Sequence, residues 1–251
     1  HRQRAAVDGA VKKAPRKRAT TATKAKAAPK TKAAPKAKAV VKAKAAAKAG
    51  NAPKSGKPRV FVLDFDGDMQ ASQVEQLREE ISAILPVASE TDEVLLRLES
   101  GGGVVHGYGL AASQLLRIKD AGIRLTISVD KVAASGGYLM ACVATEILVA
   151  PFAILGSIGV VAQLPNFHKL LKKNDIDFEM HTAGEHKRTL TLFGENTDQA
   201  RQKFQADLDD VHGLFKSFVS THRPSIDIDA VSTGEYWFGQ QTLDINLADR
   251  L

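Results

Sequence analysis

From Pro58 onward the hydrophobic and polar positions repeat with two alternating periods. "RVFVLDF" (59–65) and "EVLLRLE" (93–99) are apolar runs of strand length. "RLTISV" (124–129), "EILVA" (146–150), "IGVVAQL" (158–164) and "IDFEMHT" (176–182) share that character. Between them the apolar positions step by three and four. Val74, Leu77, Ile81, Ile84 and Leu85 form one helix face, and Tyr108, Ala111, Ala112 and Leu115 a second. A short helix is predicted near Asn166–Lys172. A long one carries Ala200, Phe204, Leu208, Val211, Phe215 and Phe218 on one face, which leaves His212 and His222 at its surface. Strands that alternate with helices, several of them almost wholly apolar, predict an α/β fold with a parallel sheet covered by helices and right-handed crossovers. In such a sheet the loops leaving the C-terminal ends of the strands are the place to look for chemistry.

Residues 1–58 follow neither period. They are Ala/Lys/Pro low complexity, as in "KAKAAPKTKAAPKAKAVVKAKAAAKAG". Of the 35 Lys+Arg in the chain, 19 lie before Val60 beside a single acid, Asp8. That stretch therefore carries +18 and the remainder −11, within a net charge of +7. With few apolar groups to bury and strong self-repulsion, the segment is expected to be a disordered linker. It is suited either to solvation alone or to contact with a polyanion, nucleic acid or anionic lipid. The acidic remainder, 59–251, is long enough for one domain with a sizeable core. Cys142 is the only cysteine, so no intrachain disulfide can form. The longest apolar stretch, Tyr138 to Gly156, is broken by Thr145, Glu146 and Pro151 and reads as core, not as a membrane span. The chain opens on His1 rather than Met and is expected to be part of a longer protein.

Two glycine-bearing loops follow predicted strands: "ESGGGVV" (99–105) and "AASGGY" (133–138). Glycines there let backbone N–H groups approach a bound atom closely, and a helix N-terminus adds free donors and a field favouring negative charge. Together the loops could supply two converging donors for an oxyanion, with Ser135 as the nucleophile beside them. The same residues also suit two tight turns, with Ser135 capping a helix. Neither a phosphate-binding P-loop nor a dinucleotide fingerprint is present. The G-x-S-x-G elbow fails because Ala133 stands at its first glycine.

A serine nucleophile needs a base. His106 follows the first glycine loop. His181 and His186 bracket "TAGE", but without H-E-x-x-H spacing and with Gly184 between them no metal is implied. Lys187, in "AGEHKRTLTLFG", is the other candidate. A lysine must be desolvated to act as a neutral base, and Lys187 taken alone also reads as a surface residue.

The blocks "DKVAASGGY", "APFAILGSIGVV", "HTAGEHKRTLTLFGENT" and "TGEYWFGQQ" resemble the SohB-type peptidases of the signal peptide peptidase A family over nearly all of 58–251. The resemblance implies a crotonase/Clp-like ββα spiral and a serine endopeptidase with a Ser/Lys dyad. Ser135 matches the nucleophile, Lys187 the general base, and Ser157 the serine that orients the lysine amine. The oxyanion donors would be Gly136 and either Gly102 or Gly103, with Gly103 preferred as the last glycine of the family's S-P-G-G. Gly101 replaces that motif's proline. Thr242 and Asn246 depart from the family's A-x-x-x-G-L-x-D, and the C-terminal end is expected to be cut short. Val160, at the spacing where Clp proteases place their histidine, argues against a Clp-type triad.

The resemblance further implies a homo-oligomer, peptide or unfolded membrane-protein substrates, and no metal or organic cofactor. It places the protein at the bacterial inner membrane, anchored by a segment upstream of this chain, on the periplasmic face. The positive-inside rule would instead keep a Lys/Arg-rich segment beside a span on the cytoplasmic side. Two other classes share parts of the pattern: a catalytically inactive scaffold with this fold, and a crotonase-type enzyme acting on an acyl thioester.

Overall fold

The computed structural model describes residues 57–251. Expectations for the basic segment therefore lie outside the described residues, apart from its last two positions. The elements run β1 (Val60–Gly67), α1 (Val74–Ile84), β2 (Glu93–Ser100), α2 (Val105–Asp120), β3 (Arg124–Val129), β4 (Val132–Ala134), α3 (Gly136–Ala141), β5 (Glu146–Val149) and β6 (Ile154–Gly156). Then follow α4 (His168–Lys173), α5 (Asp198–His222), α6 (Ile228–Val231), β7 (Tyr236–Phe238) and α7 (Gly239–Thr242).

β2 is the hub of the sheet. It pairs in parallel with β1 along its whole length, and its first five residues, Glu93–Arg97, pair with β3, which in turn pairs with β5. Its last residue, Ser100, pairs instead with Ala133 of β4; β4 pairs in parallel with β6, and β6 antiparallel with β7. The sheet thus divides as the chain steps from β3 through Asp130 and Lys131 into β4. Repeated strand pairs with a crossover helix wind around this division, and the result is the α/β ββα spiral.

Helices cover one face. Val94, Leu96 and Leu98 of β2 point into a core shared with Leu77 and Ile81 of α1 and with Tyr108, Leu115 and Ile118 of α2. The opposite face of β1 and β2 is open. Val60 and Val62 are more than half exposed, and Asp64–Arg97 and Glu99–Lys131 form ion pairs at 2.6 and 2.8 Å. The expectation of helices over the sheet holds for one face only. β1 alternates inward Leu63 and Phe65 with outward Val62, Asp64 and Asp66, a half-buried pattern.

Two predicted strands do not form. Residues 158–164 and 176–182 are irregular, with Val161, Leu164, Ile176, Phe178 and Met180 exposed. A strand exists only against a hydrogen-bonded neighbour. Past β6 the chain turns away from the sheet at Ser157, whose φ is 52°. His212 and His222 are half-buried, not at the surface as expected, and the His222 ring lies 4.5 Å from that of Phe218.

The C-terminal segment is latched to the core. Arg223, 7 % exposed, donates from both terminal nitrogens to the Asp249 carboxylate at 2.8 Å and from one of them to the Asn246 carbonyl at 2.9 Å. Asp249 also accepts the Ile147 N–H at 2.7 Å, and Tyr138 Oη donates to the Leu247 carbonyl at 3.0 Å. Asn246 has φ 59°, a left-handed conformation that Asn tolerates better than most residues. Thr242, fully buried, donates to the Gly239 carbonyl. Both departures from the family pattern are thus absorbed locally.

Burial pushes the Asp249 carboxyl up, but the Arg223 and Ile147 donors outweigh this and hold it below its ordinary value. Its contribution to stability is therefore present above the ordinary carboxylate range and is lost as pH falls through the lowered folded value. Asp249→Ala leaves the Arg223 cation buried without its partner and should cost about 3 kcal/mol in urea unfolding at pH 7. The difference from the parent should shrink as pH falls below the carboxylate range.

Candidate active site

Two serines stand side by side where β4 and β6 end. Ala134 pairs with Gly156, so Ser135 and Ser157 occupy matching positions one residue beyond the ladder. Both have positive φ, 50° and 52°. Ser135 N–H donates to the Gly156 carbonyl at 2.8 Å, and Ser157 N–H to the Glu235 carbonyl at 2.6 Å. A non-glycine residue in such a conformation costs of order 1–3 kcal/mol and persists only where its surroundings hold it. This is the C-terminal edge of parallel strands, where a ligand is expected in an open α/β sheet.

Ser135 is the residue before α3, yet its side chain makes no capping hydrogen bond. The helix-cap reading of this serine therefore fails. The hydroxyl stays uncommitted on a half-buried residue whose backbone is strained.

The glycine loop lies against this turn. A Cβ on Gly102, whose φ is +86°, would fall 2.6 Å from Gly136 N and 2.8 Å from Ser135 Cβ. A Cβ on Gly136 would fall 2.5 Å from Cγ of the Tyr108 ring, and one on Gly137 2.4 Å from the Ser100 carbonyl oxygen. The glycines are therefore required for close approach of the two loops. Their amides differ. Gly102 N–H donates to Ser100 Oγ at 3.0 Å, whereas those of Gly103 and Gly136 have no acceptor among the described residues. Gly101 is exposed, and a Cβ there would meet nothing within 4 Å, so the space for the family's proline is open.

Lys187 lies elsewhere in the described chain. It is exposed, in the irregular stretch between α4 and α5, and lines an open cleft of about 740 Å³ with Leu164, Phe178, Met180, Leu190 and Phe193. Ser135 does not line that cleft, and no hydrogen bond joins Ser135, Ser157 and Lys187 in the single chain. His106 is exposed in the first turn of α2. Among the described residues no group of three or more His, Cys, Asp or Glu is placed to hold a metal ion. No described helix is long and apolar enough to cross a membrane.

The family model described as Peptidase family S49 matches residues 117–251, and that described as Peptidase family S49 N-terminal matches residues 3–115. The chain belongs to peptidase family S49. Curated S49 relatives include the "Probable protease SohB" of Buchnera aphidicola subsp. Schlechtendalia chinensis, 64% identical over 194 residues, 77% of this chain and 64% of that protein. The "Probable protease SohB" of Haemophilus influenzae is 63% identical over 195 residues, 78% of this chain and 55% of that protein. The chain thus spans between about half and two-thirds of the length of these relatives. Among solved structures, a 1510-N membrane-bound stomatin-specific protease in complex with a substrate peptide superposes at TM-score 0.49 and 14% identity, covering 77% of this chain and 75% of that one.

The residues missed from sequence are Ser100 and Tyr108, which hold the S49 glycine loop from beneath. The available signal was a hydroxyl two residues before a glycine amide, the spacing of a serine turn. The packing makes a contrasting prediction. Gly101→Ala should change stability by less than about 0.5 kcal/mol. Gly102→Ala, strained by its φ and crowded by Gly136, should cost about 2–3 kcal/mol. Urea midpoints of the two variants check this.

Proposed function

We propose that this chain carries the catalytic centre of a serine endopeptidase working through an acyl-enzyme, with Ser135 as nucleophile and Lys187 as general base. The observation that carries this reading is the strained Ser135 turn, which leaves a hydroxyl unspent next to the unused Gly136 N–H and against the glycine loop, in which the Gly103 N–H is also unused. Neutral Lys187 accepts the Ser135 proton as Oγ attacks a peptide carbonyl. The oxyanion lies between the amides of Gly136 and Gly103, a preorganised pair whose donors cost no reorganisation during reaction. Gly102 serves the close approach of the loops, since its own amide is taken by Ser100. Protonated Lys187 gives its proton to the leaving amine. Water then attacks the acyl-enzyme, losing its proton to Lys187, which returns one to Ser135. Ser157, level with Ser135 across the strand ends, orients the lysine amine.

A lysine works as a neutral base at pH 7 only if desolvated, and Lys187 in the single chain is exposed. We therefore assign its burial to a homo-oligomer. The stretch from β6 to α5, which bears Lys187, exposes Val161, Leu164, Phe167, Phe178 and Phe193, a surface that a second copy of this chain would cover. Substrates are peptides or unfolded membrane-protein segments, bound extended as an added strand, at the bacterial inner membrane. The exposure of Lys187 also favours a second reading, a scaffold that binds peptides without cleaving them.

Ser135→Ala and Lys187→Ala should each fold normally and lose cleavage of a fluorogenic peptide by about 10³-fold or more. A Lys187→Ala variant with full activity at neutral pH overturns the dyad, and an inactive parent favours the scaffold. By light scattering the parent should be oligomeric. Phe178→Asp should shift it towards monomer with loss of activity; an active monomer would refute the assembly reading.

A further inference from the structure

Beneath the glycine loop runs a chain of four polar groups whose direction can be deduced. Tyr108 Oη donates its one proton to the Asp68 carbonyl at 2.7 Å. It lies 2.5 Å from Ser100 Oγ and has no second proton, so Ser100 must be the donor in that contact. Ser100 Oγ in turn accepts the Gly102 N–H at 3.0 Å. The sequence is Gly102 N–H to Ser100 O–H to Tyr108 O–H to Asp68 carbonyl. Ser100 is 2 % exposed and Tyr108 wholly buried. Gly67 makes room for both hydroxyls, since a Cβ there would fall 2.5 Å from each oxygen.

The same two residues reach the other loop. The Tyr108 ring packs against Gly136, and the Ser100 carbonyl oxygen against Gly137. On the far side Val104 N–H donates to the Met69 carbonyl at 2.9 Å, so the loop is pinned at Gly102 and at Val104 with the Gly103 amide free between them. We infer that Ser100 and Tyr108 are positioning residues for the oxyanion site, their paired hydroxyls drawing the Gly102 amide inward and thereby selecting Gly103 as the loop's free donor. The inference rests on the peptidase reading for its kinetic consequence and on the hydrogen bonds alone for its structural one. Buried, fully satisfied chains of this kind gain by mutual polarisation and are costly to interrupt.

The test uses the full 251-residue chain. By NMR hydrogen exchange the Gly102 amide should be protected and the Gly103 amide fast, with Gly102 losing its protection in Ser100→Ala. In peptide hydrolysis Ser100→Ala and Tyr108→Phe, which keeps the ring against Gly136, should each lower kcat about 10- to 100-fold with KM within about twofold. That range lies below the loss of a whole oxyanion donor. Affinity for a peptide aldehyde, whose adduct with serine mimics the oxyanion, should fall by the same factor as kcat/KM. If Ser100→Ala does not fold, Tyr108→Phe carries the test. Unprotected Gly102 in the parent overturns the proposal whatever the activity. Variants with parental kcat, or with the loss in KM alone, overturn it while leaving the peptidase reading intact. An inactive parent with protected Gly102 sinks the peptidase reading and the kinetic role, but not the assignment of the free amide.

Discussion

One hydrogen bond organises the site. Ser135 N–H donates to the Gly156 carbonyl just where the β4–β6 ladder ends. Without it the chain would have no reason to hold Ser135 at φ 50° when ordinary helix-start geometry lies close by. Two adjacent serines in left-handed backbone store together about 2–6 kcal/mol. That strain is held by what lies behind it: the buried α3 residues Tyr138, Met140 and Ala141, and a C-terminal segment bound to the same core through Arg223 and Asp249. The cost of the turn is met by burial elsewhere, and the return is a hydroxyl that cannot relax into a helix cap.

Glycine does a different task at each position. At Gly102 it permits a positive φ and contact with the Ser135–Gly136 turn; at Gly136 it admits the face of Tyr108; at Gly67 it leaves space for two hydroxyls. The exposed glycine, Gly101, does none of these, and it is the one that stands where the family carries proline. A single glycine-rich string therefore contains one replaceable residue, Gly101, and two that are fixed by their neighbours, Gly102 and Gly103, the latter because a Cβ there would fall 2.1 Å from the Met69 carbonyl oxygen. Exposed apolar side chains, Ile176, Phe178, Met180, Leu192 and Phe193 among them, share the irregular stretch between α4 and α5 with Lys187.

Much of this was legible in the sequence. Long periodic segments gave α1, α2 and α5, and the apolar runs gave β1, β2, β3 and β5, because their burial is one-sided or complete. The three-residue strands β4, β6 and β7 are too short to carry a period. The runs at 158–164 and 176–182 carried the composition of strands but found no edge to pair with, and pairing is a tertiary property. Ser135 could be picked out by its two glycines, but its positive φ could not be read from a serine codeword. Ser100 and Tyr108 were hidden for a related reason. One ends a strand and the other falls on a helix face, and only the fold brings their hydroxyls to 2.5 Å.

A catalytic Ser135 must be the one activated nucleophile among the described residues. Covalent labelling with a fluorophosphonate probe at pH 7, followed by peptide mass spectrometry, tests it most directly. A single adduct is expected, on the peptide containing Ser135, and it should vanish in Ser135→Ala. An adduct on another serine that survives this substitution, or no adduct on an assembled chain that cleaves peptides, would contradict it.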